Sequence, residues 1–494
     1  MMSDPKRLHP ISILFEFLSF LKQVILPMLL WIFIATKGDE KTGKILWDYG
    51  PWIGLGMIVL FTIVLSIIKW SRYTYRIEDM ELRIEHGLFI KKKRYIPFER
   101  IQSLDFSESI IHRPFGLVKV KVETAGSSDN KAEAEMTAIN KEAASAIKSM
   151  IAEAKNNGDV IKKDIDEVQK ETILYKITQQ QLLFFASTSG KAGLVISAVI
   201  AFAAQFDDLI PFDKLFNELE GIVQAGYFII ASLVFIGIVM AWVLSVVLAY
   251  LKYNDFTLKQ FEDDFVITRG LLEKRTTTIP IRRVQAIRIT ESPLRQPFGY
   301  ASVVVEYAGG SNLDEKTEGL LMPVIKKKAI ATLLQDALTD YSFHVDFIRA
   351  PIRAKRRFYF LNIIQAAVVV TGLSIWLWPY GALSLLLLPL AWILGVCRYR
   401  SAGWNITGNQ LAFRYRVIGQ QTVLLRKNRV QSMDVTVNWF QNQADLATVS
   451  AAVMSGGDAG AGVTHIEKCD AATIFEWYLP KEQSKHIAEP EISE

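Results

Sequence analysis

Chemistry-bearing residues are scarce in this chain. Cysteine occurs twice in 494 residues, at Cys397 and Cys469, and no CxxC is present. Neither a disulfide framework nor a thiolate zinc cluster is supported. The six histidines are scattered, with no HExxH and no Cys/His cluster, so no metal and no cofactor are expected. Gly38 to Lys44, GDEKTGK, fits a phosphate-binding loop except at its end. There Ile45 takes the place of the Ser or Thr that ligates magnesium, and no strand precedes the loop. GGDAGAG, 456–462, completes no GxGxxG and reads as a flexible strand connection. No catalytic constellation emerges, so no catalytic residue is assigned and the chain is not expected to be an enzyme. Charge is also nearly balanced, 56 Lys and Arg against 51 Asp and Glu, a net +5. No nucleic-acid partner is expected.

What the chain has in quantity is hydrophobicity. Half its residues are hydrophobic and the mean hydropathy is +0.21, high for a soluble protein. Ile11, Leu14, Phe15 and Leu18 fall on one helix face, which predicts a lead-in helix at the membrane surface. Lys6 and Arg7 suit the start of a signal peptide, but Glu16 and Lys22 interrupt the apolar stretch and no small-residue cleavage site follows. The segment is expected to stay. Residues 24–36 continue the apolar run, kinked at Pro27, and Trp52 to Ile68 is 17 residues without a charge. Ala192 to Ala204, then Gly221 to Leu251, repeat the arrangement, led by Thr178 to Ser189. Phe358 to Cys397 is 40 uncharged residues broken only by Trp378-Pro379-Tyr380-Gly381, which reads as two spans and a tight turn. Buried ionisable residues are nearly absent from the later spans, which argues against an ion-coupled carrier.

Each hairpin precedes a stretch of short alternating runs. In the first, Val118, Val120 and Val122 alternate with lysines, as in a half-buried strand. Residues 133–156, 323–338 and 466–479 read as a closing helix in each case. The β stretches share one motif. Ile96 to Gly116, IPFERIQSLDFSESIIHRPFG, returns 183 residues later as Ile279 to Gly299, IPIRRVQAIRITESPLRQPFG. Leu425 to Asp445 is a worn third copy that keeps Arg429-Val430-Gln431 and loses Pro-Phe-Gly. A long-period repeat implies one unit used three times. Positive residues flank the β side of every hairpin: Lys6 and Arg7, Lys69 and Arg72, Lys252, Arg349 to Arg357, Arg398 and Arg400. The opposite loops are neutral, acidic or nearly absent. The positive-inside rule then places the termini and the β domains in the cytoplasm.

A membrane hairpin, then I-P-x-x-R-[IV]-Q, then Pro-Phe-Gly leading into a V-x-V-x-V strand, resembles the bacterial PH-like domain of membrane-attached type. Three such units resemble the YdbT-type transmembrane family. The resemblance is specific at Pro97, Arg100, Gln102, Pro114, Phe115 and Gly116 and their counterparts Pro280, Arg283, Gln285, Pro297, Phe298 and Gly299, and weak in the third copy. It implies that each β stretch is a seven-stranded, bent β-sandwich closed by a C-terminal helix. With the spans and flanking charges read above, the expected fold is an α+β membrane protein with six transmembrane helices in three hairpins, each followed by a cytoplasmic PH-like β-sandwich capped by a C-terminal helix. The expected divisions are 8–70 and 71–153, a linker at 154–177, 178–252 and 253–340, 350–397 and 398–480, and a disordered tail at 481–494.

Arg100, Arg283 and Arg429, with Gln102, Gln285 and Gln431, can hold an anionic headgroup or satisfy backbone groups at a bend. Retention in the worn copy favours the bend. In Pro-Phe-Gly, Pro114 and Pro297 fix φ, Gly116 and Gly299 permit a turn, and Phe115 and Phe298 are expected to plug a core. Lys91, Lys92, Lys93 and Arg94 are the candidate binding residues, facing anionic lipid headgroups or a partner. Their other reading is a solvated edge that resists aggregation. Lys355 to Arg357 reads as a topology signal and headgroup anchor, and the Asn405-Ile406-Thr407 sequon is idle in the cytoplasm. The expected function is a multipass scaffold of the cell membrane that presents three modules to the bilayer, anionic lipid or a partner membrane protein. Envelope stress or resistance to membrane-active peptides is its expected setting. The alternative is a non-catalytic component of a transport or export complex.

Overall fold

The structure, a computed structural model, describes residues 5–21, 23–24, 44–88, 90–124, 133–156, 172–189, 223–307, 319–376, 380–454 and 460–480. It divides into two compact units, Met1–Val168 with Leu272–Thr278, and Gln169–Leu271 with Ile279–Glu494. Among the described residues, four helices are long and apolar enough to cross a membrane: Ile53–Ser71, Phe235–Tyr253, Ile352–Trp376 and Gly381–Ser401. Residues 25–36 and 192–204, the remaining spans of the sequence reading, lie outside the described residues. The last two helices pack against each other in antiparallel order. Tyr359 lies 6.3 Å from Trp392, and a Cβ on Gly395 would come within 3.0 Å of the Phe358 carbonyl. A small residue is what allows that approach.

In the first unit, β1 (Lys6–Arg7), β2 (Thr74–Glu78), β3 (Glu81–His86) and β4 (Lys92–Pro97) form one antiparallel sheet in chain order. A second contains β5 (Ile101–Ser109), β6 (Leu117–Thr124) and β7 (Ala134–Asn140). Alternation drives Val118, Val120 and Val122 inward, and the Lys141–Asn156 helix adds Ala144, Ile147 and Ile151 to the same core. The helix is shorter than its sequence reading. Ala134–Asn140 buries alternate residues before it and pairs with β6, so period two wins over the helical pattern there.

The second unit repeats the plan. The strands of the second repeat are β8 (Thr172–Lys176), β9 (Thr257–Phe261), β10 (Asp264–Arg269), β11 (Glu273–Pro280, of which 273–278 belong to the first unit), β12 (Val284–Glu291), β13 (Tyr300–Tyr307) and β14 (Leu320–Lys326). There follow β15 (Ile348–Arg349), β16 (Gly403–Thr407), β17 (Gln410–Arg416), β18 (Gln420–Arg426), β19 (Val430–Thr436), β20 (Leu446–Val453) and β21 (Gly460–Glu467). Strand β8 lies within the stretch read as linker and pairs with β9. Pro323, read as a helix start, sits in β14, an edge strand where a missing N–H is tolerated. The closing helices are Lys327–Leu334 and Lys468–Tyr478.

Successive repeats are joined by strand pairing. The segment Leu272–Thr278, which holds most of β11, belongs to the first unit, and Glu273–Thr277 pairs antiparallel with Ser109–Asp105 of β5. In the second unit β18 pairs with β12 in the same way, giving the order β14-β13-β12-β18-β17-β16-β15. Thr276→Pro removes an amide from the middle of the β5–β11 ladder. Hydrogen exchange on the full chain is expected to show lost protection at 105–109 and 273–277, with protection retained in β20 and β21.

Candidate membrane-facing site

Each repeat ties the foot of a membrane helix to the tip of the hairpin between its third and fourth strands. Arg72 donates to the Leu88 carbonyl at 2.6 Å, and the Leu271 amide donates to the Leu251 carbonyl at 2.9 Å. Arg398 donates to the Val417 carbonyl through Nε and Nη2 at 3.3 and 3.2 Å. The three tips carry exposed apolar side chains: Ile90, then Leu271 and Leu272, then Val417 and Ile418.

The Pro-Phe-Gly loop forms a second contact. A 3-10 turn runs over Arg113–Phe115 and Gln296–Phe298, and Gly116 and Gly299 follow with φ of 61° and 69°. Asp445 keeps that left-handed conformation in the third copy, at φ 50°. The turn orders the closing helix. The amides of Lys141, Lys327 and Lys468, the first residue of each, donate to the carbonyls of Gly116, Gly299 and Asp445 at 3.1, 2.9 and 3.1 Å. The phenylalanines do not plug a core. Phe115 is 55% exposed and Phe298 is 66% exposed, because the turn points them away from the sandwich. Phe298 meets Phe184 of the Gln179–Ser187 lead-in helix edge-on, with centroids 5.7 Å apart. Ile110, Ile111 and Leu294 are exposed beside them, and Trp439 and Phe440 are exposed in the third copy.

A buried polar residue sits four positions before that left-handed turn residue in every repeat: His112, Arg295 and Gln441. Because its identity changes from copy to copy, comparison of the repeats for shared residues misses it. His112 stacks on Phe15 of the first lead-in helix at 4.1 Å. Arg295 is the strongest of the three. Its guanidinium donates to Thr188 Oγ1 at 2.8 Å, Ser302 Oγ at 2.9 Å and the Phe185 carbonyl at 3.2 Å, and lies 4.6 Å from the centre of the Phe185 ring. A cation there also meets the negative end of the helix dipole. Burial lowers Arg295 to about 10, so it stays charged at neutral pH. Thr178 and Gln181 close the other end of the helix in a capping box. Gln441 donates to Thr448 Oγ1 at 2.7 Å and lies 3.0 Å from His465 Nδ1, whose ring meets Phe358 edge-on at 5.1 Å.

The family of bacterial PH domains matches residues 21–155, 215–339 and 359–482. The UPF0699 transmembrane protein YdbT of Bacillus subtilis (strain 168) is 36% identical over 97% of this chain and 99% of its own length. The chain is a YdbT-type membrane protein with three bacterial PH domains. No solved structure matches it.

The basic run of the first PH domain is divided between two faces of a sheet edge. Lys91 and Lys93 reach Glu85 at 2.5 and 3.4 Å and hold its carboxyl below the usual range, chiefly through the Lys91 hydrogen bond. Lys92 pairs in register with His86, and Arg94 donates to the Glu133 carbonyl. The four are not brought together as one headgroup cradle. The Arg-x-Gln residues are likewise dispersed. Arg100 is exposed, Arg283 is half-buried, and Arg429 donates to the Arg282 carbonyl at 2.5 Å. Gln285 donates to the Arg283 carbonyl at 3.0 Å, Gln431 is exposed, and the Gln102 side chain lies outside the described residues.

A denser basic site lies at the foot of the Ile352–Trp376 and Gly381–Ser401 helices. A cleft of about 310 Å³ is lined by Arg357, Arg398, Arg416, Tyr415, Thr464 and His465, among others. Burial, with Arg357 nearby, lowers His465 to about 4. Two outcomes are expected. Arg295→Ala costs about 3 kcal/mol through lost charged hydrogen bonds, and Arg295→Lys restores only part because an ammonium cannot fork; thermal unfolding in detergent measures both. His465 is neutral in the fold, so the stability it supports is complete above its unfolded value of about 6.5 and is lost as pH falls toward about 4. His465→Gln is expected to flatten that acid limb.

Proposed function

We propose that the chain is a multipass scaffold of the cell membrane that holds three PH domains against the inner bilayer surface and presents them to lipid and protein partners without catalysis. Six spans in three hairpins, with both termini and all three domains cytoplasmic, fit the basic residues at the β side of each hairpin. The observation that carries the reading is the repeated pair of exposed apolar loops at the foot of the membrane helices. Phe115, Phe298, Trp439 and Phe440 are exposed on one loop, and Ile90, Leu271 and Ile418 are exposed on the other, whose tip is hydrogen-bonded to the foot of a membrane helix in each repeat. Full burial of each such side chain contributes about 1.5–3 kcal/mol, enough in combination to seat a domain on the interface. Anionic headgroups suit the cleft beside them, where Arg357, Arg398 and Arg416 converge.

The test uses full-length protein in vesicles, with Cys397 and Cys469 replaced by Ser and one cysteine introduced by Phe298→Cys. An environment-sensitive dye on it is expected to shift to the blue and to be quenched by nitroxide-labelled lipid. Emission as in water, without quenching, would sink the proposal. Arg357→Glu is expected to weaken the preference for vesicles containing an acidic phospholipid.

A further inference from the structure

The two joints between repeats are made in one register. Glu108 of β5 pairs with Lys274, Ser107 with Arg275, Phe106 with Thr276 and Asp105 with Thr277. Glu291 of β12, 183 residues on, pairs with Gln420, Thr290 with Gln421, Ile289 with Thr422 and Arg288 with Val423. The offset from Lys274 to Gln420 is 146, the same offset that relates Arg283 to Arg429 in the motif. Each joint therefore uses equivalent residues from a fifth strand and the next repeat's fourth strand.

Three repeats make two joints and leave two halves over. Strand β4 is the outer strand of β1-β2-β3-β4, and β19 is the outer strand of β19-β20-β21. Among the described residues no strand pairs on the outer side of either. Their side chains register the missing neighbour. Val435 is 39% exposed where its equivalent in β12, Ile289, is 7% exposed. Tyr95 is 52% exposed where its equivalent in β18, Leu424, is 1% exposed. A free strand edge is a template for another strand.

The geometry points to a second copy of this chain as the occupant: β19 of one copy pairs antiparallel with β4 of the next. The register of the inner joints sets Val437 opposite Lys91, Thr436 opposite Lys92, Val435 opposite Lys93 and Asp434 opposite Arg94. The carboxylate of Glu108 and Glu291 is lost at Val437, and a charge pair appears at Asp434 and Arg94. Opposite charges facing across a ladder stabilise it, and here they also select β4 as the partner of β19. Basic residues do not protect β4 from pairing, since Lys274 and Arg275 occupy the same positions in a joint that is made. The contact is heterologous, so it builds a ring or an open row of copies. It draws on the proposed membrane placement only for the common orientation of neighbouring copies.

Disulfide trapping tests this on the full chain, again with Cys397→Ser and Cys469→Ser. Chains carrying Lys93→Cys alone and chains carrying Val435→Cys alone are mixed in vesicles and oxidised. A dimer containing one of each is expected, several-fold above the yield with Thr436→Cys, whose side chain falls on the other face. Asp434→Lys is expected to cut that yield several-fold, and combining it with Arg94→Asp to restore it. Equal yields from the matched and slipped pairs, dimers of Lys93→Cys chains alone, or trapping only to a different protein would each overturn the assignment. Dye depth at Phe298 is measured separately, so failure of the membrane reading and failure of this one are distinguishable.

Discussion

Main-chain pairing between one repeat and the next is the interaction on which the architecture depends. A three-stranded sheet has two edges, and a buried amide or carbonyl without a partner is expensive. Strand β5 meets this by accepting β11, and β12 by accepting β18. The consequence reaches the cores. Ala412 and Leu424 of the third repeat are buried with residues of the second, and Ala286 of the second is buried with residues of the third. The second and third repeats are thus units of sequence without being separate units of packing, whereas the core of the first contains its own residues alone.

A second constraint fixes each β domain to its membrane segment. The short strands β1, β8 and β15 precede the apolar helices in the chain, and β2, β9 and β16 follow them. Each short strand pairs with the strand that follows the helices, so both ends of each apolar segment are held on one sheet. The polar anchors at positions 112, 295 and 441 bind that arrangement from the other side. His112 and Arg295 contact the lead-in helix directly, and Gln441 reaches Phe358 by way of His465. One position does one job with three chemistries, because each must satisfy a different set of buried partners.

The division of labour in the motif follows. Its glycines are kept for a left-handed turn whose carbonyl receives the first amide of the closing helix, and Asp445 serves where Gly is lost. Its phenylalanines are kept outside, Phe298 against the lead-in helix and Phe115 beside His9. The copies differ in the composition of their exposed apolar tips and in the charge of their strand edges.

The sequence by itself determined the class, the count of repeats and the apolar segments, because those rest on composition and period. Val118, Val120 and Val122 alternate whatever surrounds them, and Phe358 to Cys397 has no charge whatever its partners. Tertiary structure decided what depends on neighbours distant in the chain. Whether Ala134–Asn140 is strand or helix was settled by β6 beside it. Whether Phe298 is core or surface was settled by the turn geometry at Gly299, and whether Lys91 to Arg94 form one cluster by the pleat of β4. The joints between repeats were invisible in one dimension, since β5 and β11 are brought together by hydrogen bonds that no local pattern specifies.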